Sequence, residues 1–245
     1  MNVPEAKKVP FRRFIPNFVT IFGLIAGLTA VRSGISGHYT SALYLLLLAM
    51  LLDAVDGKLA RMLESTSQFG AELDTLADFF NFGVAPTIIL YAMFFAGTPY
   101  ANFGWLALII YTTACMMRLA RFNVALLEDD DEPVDHRFWV GVPAPALACL
   151  GFLPAFLLLM GWDGVTTHPV IVALYIIFAG GLAVSRIPTF SVKKLSIPQE
   201  KQFILFAGVV LFLIVLTVFP WHVLALVDLA YLASLPLSYR AAKRA

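Results

Sequence analysis

Asp53-Ala54-Val55-Asp56-Gly57-Lys58-Leu59-Ala60-Arg61, eight residues, then Gly70-Ala71-Glu72-Leu73-Asp74-Thr75-Leu76-Ala77-Asp78 places four aspartates in two strongly apolar segments. An ionisable side chain at the centre of such a segment costs at least about 2.5 kcal/mol, so its presence marks a function. On a helix advancing about 100° per residue, Asp53, Asp56, Gly57 and Ala60 share one face, and Asp74 and Asp78 lie one turn apart. A turn near residues 64–69 makes the two helices antiparallel neighbours, with Asp56 and Asp78 at similar depths. Four acids then converge just below one membrane surface.

Clustered negative charges in a low dielectric repel unless they protonate or bind cations. Hard oxygen ligands on opposed helices suit Mg²⁺ or Mn²⁺. Gly57, Ala60 and Gly70 leave room for a ligand to approach the backbone, and Arg61 offers a fork for phosphate. The chemistry implied is that of a phosphate-bearing substrate.

Composition sets the surroundings of this pair of helices. The 245 residues are 60% hydrophobic and 13% charged, with a mean hydropathy of +0.83, too apolar for a soluble domain. We expect an all-α, polytopic transmembrane helical bundle of about eight spans, near residues 17–34, 41–63, 70–97, 103–127, 141–161, 168–186, 203–219 and 221–239. Pro220 breaks the last two into a tight hairpin. The domain reading is a basic N-terminal segment over 1–16, a membrane domain over 17–239 and a basic tail over 240–245. The N-terminal segment, with Phe11 and Phe14 among basic residues, reads as an amphipathic stretch on the inner leaflet or an ordinary charged flank. The first apolar span reads as a retained helix rather than a signal peptide.

With both termini inside, every one of the 17 Lys and Arg residues except Arg32 falls on the cytosolic side, as the positive-inside rule requires. The acid cluster then faces the cytosol across the cell membrane. The net charge of +1 is spread by topology, without the basic patch a nucleic-acid partner demands. Cys115 and Cys149 lack metal-ligand spacing and read as buried thiols. The acidic run Glu128 to Glu132 reads as an exposed cytosolic loop, and Asp228 as an acid held by a helix-packing hydrogen bond.

Flanking residues extend the candidate site. Asn17 either caps the first helix or faces the site. Pro86 cannot donate to the carbonyl of Phe82 and predicts a kink, which leaves Asn81 beside irregular backbone. Arg118 and Arg121 share a face at i, i+3 and suit either a positive-inside flank or an anionic ligand. Pro143 and Pro145 start the fifth span irregularly.

The eight identities Asp53, Asp56, Gly57, Ala60, Arg61, Gly70, Asp74 and Asp78 resemble the complete signature of the CDP-alcohol phosphotransferase family, integral membrane enzymes of phospholipid synthesis. That resemblance implies transfer of a substituted phosphate from a CDP-linked donor to an alcohol, with release of CMP. It implies that Asp53, Asp56 and Asp74, with Asp78, hold two divalent ions, that Asp78 is the general base, and that Asp56, Gly57, Ala60, Arg61 and Gly70 contact the CDP moiety. It also implies a homodimer. Asn81 to Pro86 and Arg118 to Asn123 are similar to the phosphatidylserine synthase branch, although Asn81 stands where that branch usually has Ser. The expected substrates are therefore CDP-diacylglycerol and L-serine, with Arg118 or Arg121 on the serine carboxylate and Asn81 as a hydrogen-bond acceptor. Alternatives are glycerol 3-phosphate, inositol or choline as acceptor, an ion-coupled transporter, or a silent assembly protein.

Overall fold

A computed structural model describes residues 14–63, 65, 67–127, 138–165, 168–190 and 202–243. The N-terminal basic segment to Arg13, the acidic run 128–132 and the basic residues Arg137, Lys193, Lys194, Lys201 and Arg244 lie outside them.

Each of the eight apolar stretches is helical. The rods are α1 (Ile15–Ile35), α2 (Tyr39–Met62), a continuous rod made of α3 (Gln68–Asp78), a π-helical turn (Phe79–Val84) and α4 (Ala85–Phe94), then α5 (Ala101–Leu127), α6 (Ala144–Leu159), α7 (Pro169–Val184), α8 (Gln202–Val218) and α9 (Pro220–Ala242). Four of them, α1, the Gln68–Phe94 rod, α5 over Ala101–Ala125, and α9, are long and apolar enough to cross a membrane, so the chain is a multi-pass membrane protein. The full count of eight crossings does not follow from length and composition. α2 carries Asp53, Asp56, Lys58 and Arg61, and the 16 residues of α6 and of α7 rise only about 24 Å against a hydrocarbon core of about 30 Å.

Small residues decide how closely α1 approaches its neighbours. Its buried stripe is Pro16, Thr20, Gly23, Ala26, Gly27, Ala30 and Gly34, one or two residues per turn. A Cβ at Gly27 would run into the Asn81 carboxamide, and one at Gly34 would stand 2.7 Å from Ile89 Cγ1. α1 therefore seats directly on the rod that carries Asp74 and Asp78, which brings its polar N-terminal turn to the acids. The interior behind it is filled by Phe82, Ile89, Leu90, Tyr111, Leu147, Phe156 and Ile176, all fully buried.

Two prolines remove donors inside this core, and two tyrosines replace them. Pro86 has no N–H for the carbonyl of Phe82, and the Tyr111 hydroxyl donates to that oxygen at 2.9 Å. Pro154 in α6 likewise leaves the carbonyl of Leu150, to which the Tyr175 hydroxyl donates at 2.9 Å. The irregularity expected at Pro86 takes the form of the π-helical turn over Phe79–Val84, immediately after Asp78.

One feature departs from the all-α expectation. Phe138–Val140 (β1) and Pro188–Phe190 (β2) form a short antiparallel ribbon, Phe138 opposite Phe190, that ties the entrance of α6 to the exit of α7. Gly141 comes next at φ +75°, and a Cβ there would stand 2.7 Å from the carbonyl oxygen of Ala183 and 2.8 Å from Arg121 Nη2, so only glycine fits.

Candidate active site

α2 ends at Met62 and α3 begins at Gln68, where Ser67 caps the new helix by accepting from the N–H of Gly70 at 3.0 Å. The chain reversal points the acids of α2 toward those of α3, while α1 packs against both helices and a cleft separates their backbones. Asp53, Asp56 and Asp74 each offer a carboxylate oxygen within 4.8 Å of the others. Asp78, one turn after Asp74, lines one recess with these three acids, Thr20 and Asn81.

Asp56 is the most buried of the four, at 3% exposure, and its Oδ2 accepts a 2.6 Å hydrogen bond from the Thr20 hydroxyl of α1. Asp74 Oδ1 is buried without a hydrogen-bond partner. A buried, unsatisfied carboxylate oxygen is costly, and here it lies within a cluster of further hard oxygens. The donor set fits divalent ions of the Mg²⁺ or Mn²⁺ type.

Two cavities open on this cluster. The first, a cleft of about 560 Å³, runs between α1, α2 and α3 and is lined by Asn17, Thr20, Asp56, Gly57, Ala60, Arg61, Ser65, Ser67, Gly70 and Asp74, among others. All five residues expected to contact a CDP moiety lie on it. Among the described residues, nothing beyond the helix's own backbone and the chain neighbours of Gly57 comes within 4 Å of where a Cβ would stand, so this side of α2 faces open space. At Gly70 the reason for glycine is different, because a Cβ would crowd Asn17 Oδ1 and Ser67 Oγ at 3.0 and 3.1 Å. Asn17 does not cap α1, which starts after Phe14 without a side-chain cap; it walls this cleft.

The second cavity, about 280 Å³, lies between α3, α5 and the start of α6 and is lined by Asp74, Asp78, Thr75, Arg118, Phe122, Asn123 and Pro143, among others. The two cavities share Ala71, Asp74 and Phe122. Asn123 Nδ2 donates to Thr75 Oγ1 at 3.0 Å and so joins α5 to α3 across the second one.

The two arginines expected at the site part company. Arg118 borders the second cavity, makes no hydrogen bond or ion pair with another described residue, and lies over the Phe122 ring at 5.6 Å from its centroid. Arg121 turns away. Its guanidinium donates to the carbonyls of Val184 at 3.0 Å, Val140 at 3.2 Å, Ala183 at 3.3 Å and Ser185 at 3.4 Å, closing the C-terminal end of α7 against β1. Asn81 sits beneath the acids with its Oδ1 buried and unpaired. Asp228 is 3% exposed on α9, away from the cluster, and its Oδ2 makes none of the hydrogen bonds expected of it with the described residues. Sequence reading missed Thr20, although a hydroxyl one turn after Asn17 on the small-residue stripe of α1 was the available signal.

The family model described as CDP-alcohol phosphatidyltransferase matches residues 13–187, and a second, CDP-alcohol phosphatidyltransferase 2, matches residues 203–236. Among curated proteins, the chain is 34% identical over 236 residues to a CDP-diacylglycerol–serine O-phosphatidyltransferase of Mycobacterium leprae, covering 95% of this chain and 77% of the relative. It is 31% identical to the protein of the same name in Methanocaldococcus jannaschii, covering 71% and 72% of the two chains. For the Bacillus subtilis protein of that name the identity is 36%, over 57% of this chain and 75% of the relative.

Proposed function

Because the chain belongs to the CDP-alcohol phosphatidyltransferase family, we propose that it moves the phosphatidyl group of CDP-diacylglycerol onto the hydroxyl of L-serine, releasing CMP. The observation that carries this reading is the meeting of two cavities at one carboxylate cluster. The larger fits a nucleotide diphosphate, and the smaller, with Arg118 beside Asp78, fits a small zwitterion.

In this reading Gly57 and Ala60 admit the CDP moiety into the cleft, Gly70 contacts it where Asn17 and Ser67 close on the cleft wall, and Arg61, at the exposed end of α2, attracts its phosphates. Asp53, Asp56 and Asp74, with Asp78, hold two divalent ions, Mg²⁺ or Mn²⁺. Bound there, such ions offset the diphosphate charge and stabilise CMP as a leaving group. Thr20 fixes the orientation of Asp56 by its hydrogen bond. Arg118 pairs with the serine carboxylate, which directs the hydroxyl toward Asp78. Asp78 accepts the hydroxyl proton as the serine oxygen bonds to the phosphorus and the bond from phosphorus to the CMP oxygen breaks. Asn81, below the acids, is assigned to orienting the acceptor from the far side. Arg121 we assign to holding α7 and β1 in place, since its donors already meet carbonyls.

The membrane arrangement belongs to the same reading. We take 17–239 as one membrane domain with all eight rods crossing, the short α6 and α7 met by local thinning and interfacial flanks, and with both termini and the acid cluster at the cytosolic face.

A mixed-acceptor assay tests the choice of substrate. With CDP-diacylglycerol and equal concentrations of L-serine, glycerol 3-phosphate, inositol and choline, phosphatidylserine should be the dominant product. Dominance of phosphatidylglycerophosphate would overturn the serine assignment while leaving the family chemistry intact.

A further inference from the structure

Among the described residues, Phe122 is the one aromatic side chain that walls both the nucleotide cleft and the acceptor pocket. It also lies under the Arg118 guanidinium, 5.6 Å from centroid to Cζ, one helical turn along α5. Arg118 makes no hydrogen bond or ion pair with another described residue, so the stacking on Phe122 is one of the packing contacts that set where its long side chain points. An arginine side chain is rich in rotamers, and whatever fixes its plane reduces the ordering that a bidentate carboxylate contact requires.

We propose that Phe122 is a positioning residue that couples the two substrates: a nucleotide filling the cleft packs against the ring, the ring holds Arg118 toward the acceptor pocket, and the acceptor carboxylate binds more tightly. This inference rests on the assignment of the cleft to the CDP-linked donor and of the pocket to an amino-acid acceptor. It adds a coupling between them. Coupling of binding is reciprocal, so the acceptor also tightens the donor. A cation over an aromatic face at a partly exposed site accounts for about a two- to fivefold change in affinity, which sets the size of the effect.

The test is a matrix of initial rates of CMP release against both substrates for the wild type, Phe122→Leu and Phe122→Tyr in detergent micelles with Mg²⁺. For the wild type, the apparent KM for L-serine should fall about two- to fivefold between low and saturating CDP-diacylglycerol. Phe122→Leu keeps an apolar wall but loses the π face. It should raise the KM for serine and abolish that dependence, with kcat at saturation of both substrates held within about twofold. Phe122→Tyr should restore the coupling. A wild-type KM for serine independent of the donor, or a Leu variant whose coupling is unchanged, overturns the proposal, as does loss of kcat alone. Failure of the underlying reading is distinguishable, because then the wild type releases no CMP in response to serine at any donor concentration.

Discussion

Arg118 and Arg121 lie three positions apart on α5, yet their guanidinium groups meet opposite environments. One faces a cavity beside Asp78 over the Phe122 ring; the other is surrounded by carbonyl oxygens of α7 and β1. Replacing Arg118 with Lys should raise the KM for serine about tenfold with little change in stability, because a point charge cannot reproduce the bidentate fork. Replacing Arg121 with Lys should do the converse. It loses most of a set of charged hydrogen bonds and should lower stability by about 2 kcal/mol, with the KM for serine nearly unchanged. Thermal unfolding in detergent and steady-state kinetics on both variants separate the two roles; a serine KM raised equally by both would put both guanidiniums in the pocket. Spacing alone placed these residues on one face, and it could not divide them, since the carbonyls that attract Arg121 come from β1, 19 positions later, and from the end of α7, 62 to 64 positions later. The four aspartates were legible because a carboxylate in an apolar segment is expensive wherever it packs. Asp228 had the same cost but no second residue near it in sequence, and its Oδ2 has no partner among the described residues.

Helices were the most readable level, because about 20 apolar residues bounded by prolines, glycines and charges leave little alternative. All eight rods begin and end within a few residues of their expected limits. What escaped was the three-residue ribbon of β1 and β2, whose pairing depends on where α6 and α7 emerge rather than on any local period. The π-helical turn was visible only as a break at Pro86, because its backbone geometry is settled by partners from α5. Those partners make a prediction. Tyr111→Phe removes the hydroxyl whose one proton goes to the carbonyl of Phe82, with the Leu147 oxygen a longer second neighbour, leaving the buried Phe82 acceptor unmet, and should cost about 1–3 kcal/mol of stability. Denaturation of the variant in detergent checks this, and stability equal to the wild type would show that the Phe82 carbonyl does not need that donor. The dependence of the variant on serine and on metal should be unaltered, since Tyr111 lines neither cavity.

Across the whole molecule, the basic residues and the acid cluster are expected at the same face of the membrane, where a nucleotide-activated lipid headgroup would be met. In a background lacking Cys115 and Cys149, Ser36→Cys, in the turn between α1 and α2, should react with an impermeant thiol reagent added to intact cells, and Asp130→Cys should not. The reverse pattern would invert the topology and place the acids outside. The most direct measurement of the central claim is CMP release by the purified protein from CDP-diacylglycerol and L-serine, with and without divalent ions, for the wild type and Asp56→Asn. CMP release by the wild type should vanish in excess chelator and return with Mg²⁺ or Mn²⁺, and Asp56→Asn should reduce it at least about 100-fold while the protein stays folded in detergent. Undiminished CMP release in excess chelator, or a fully active Asp56→Asn protein, would contradict the assignment of this carboxylate cluster as a metal-assisted phosphatidyl-transfer site.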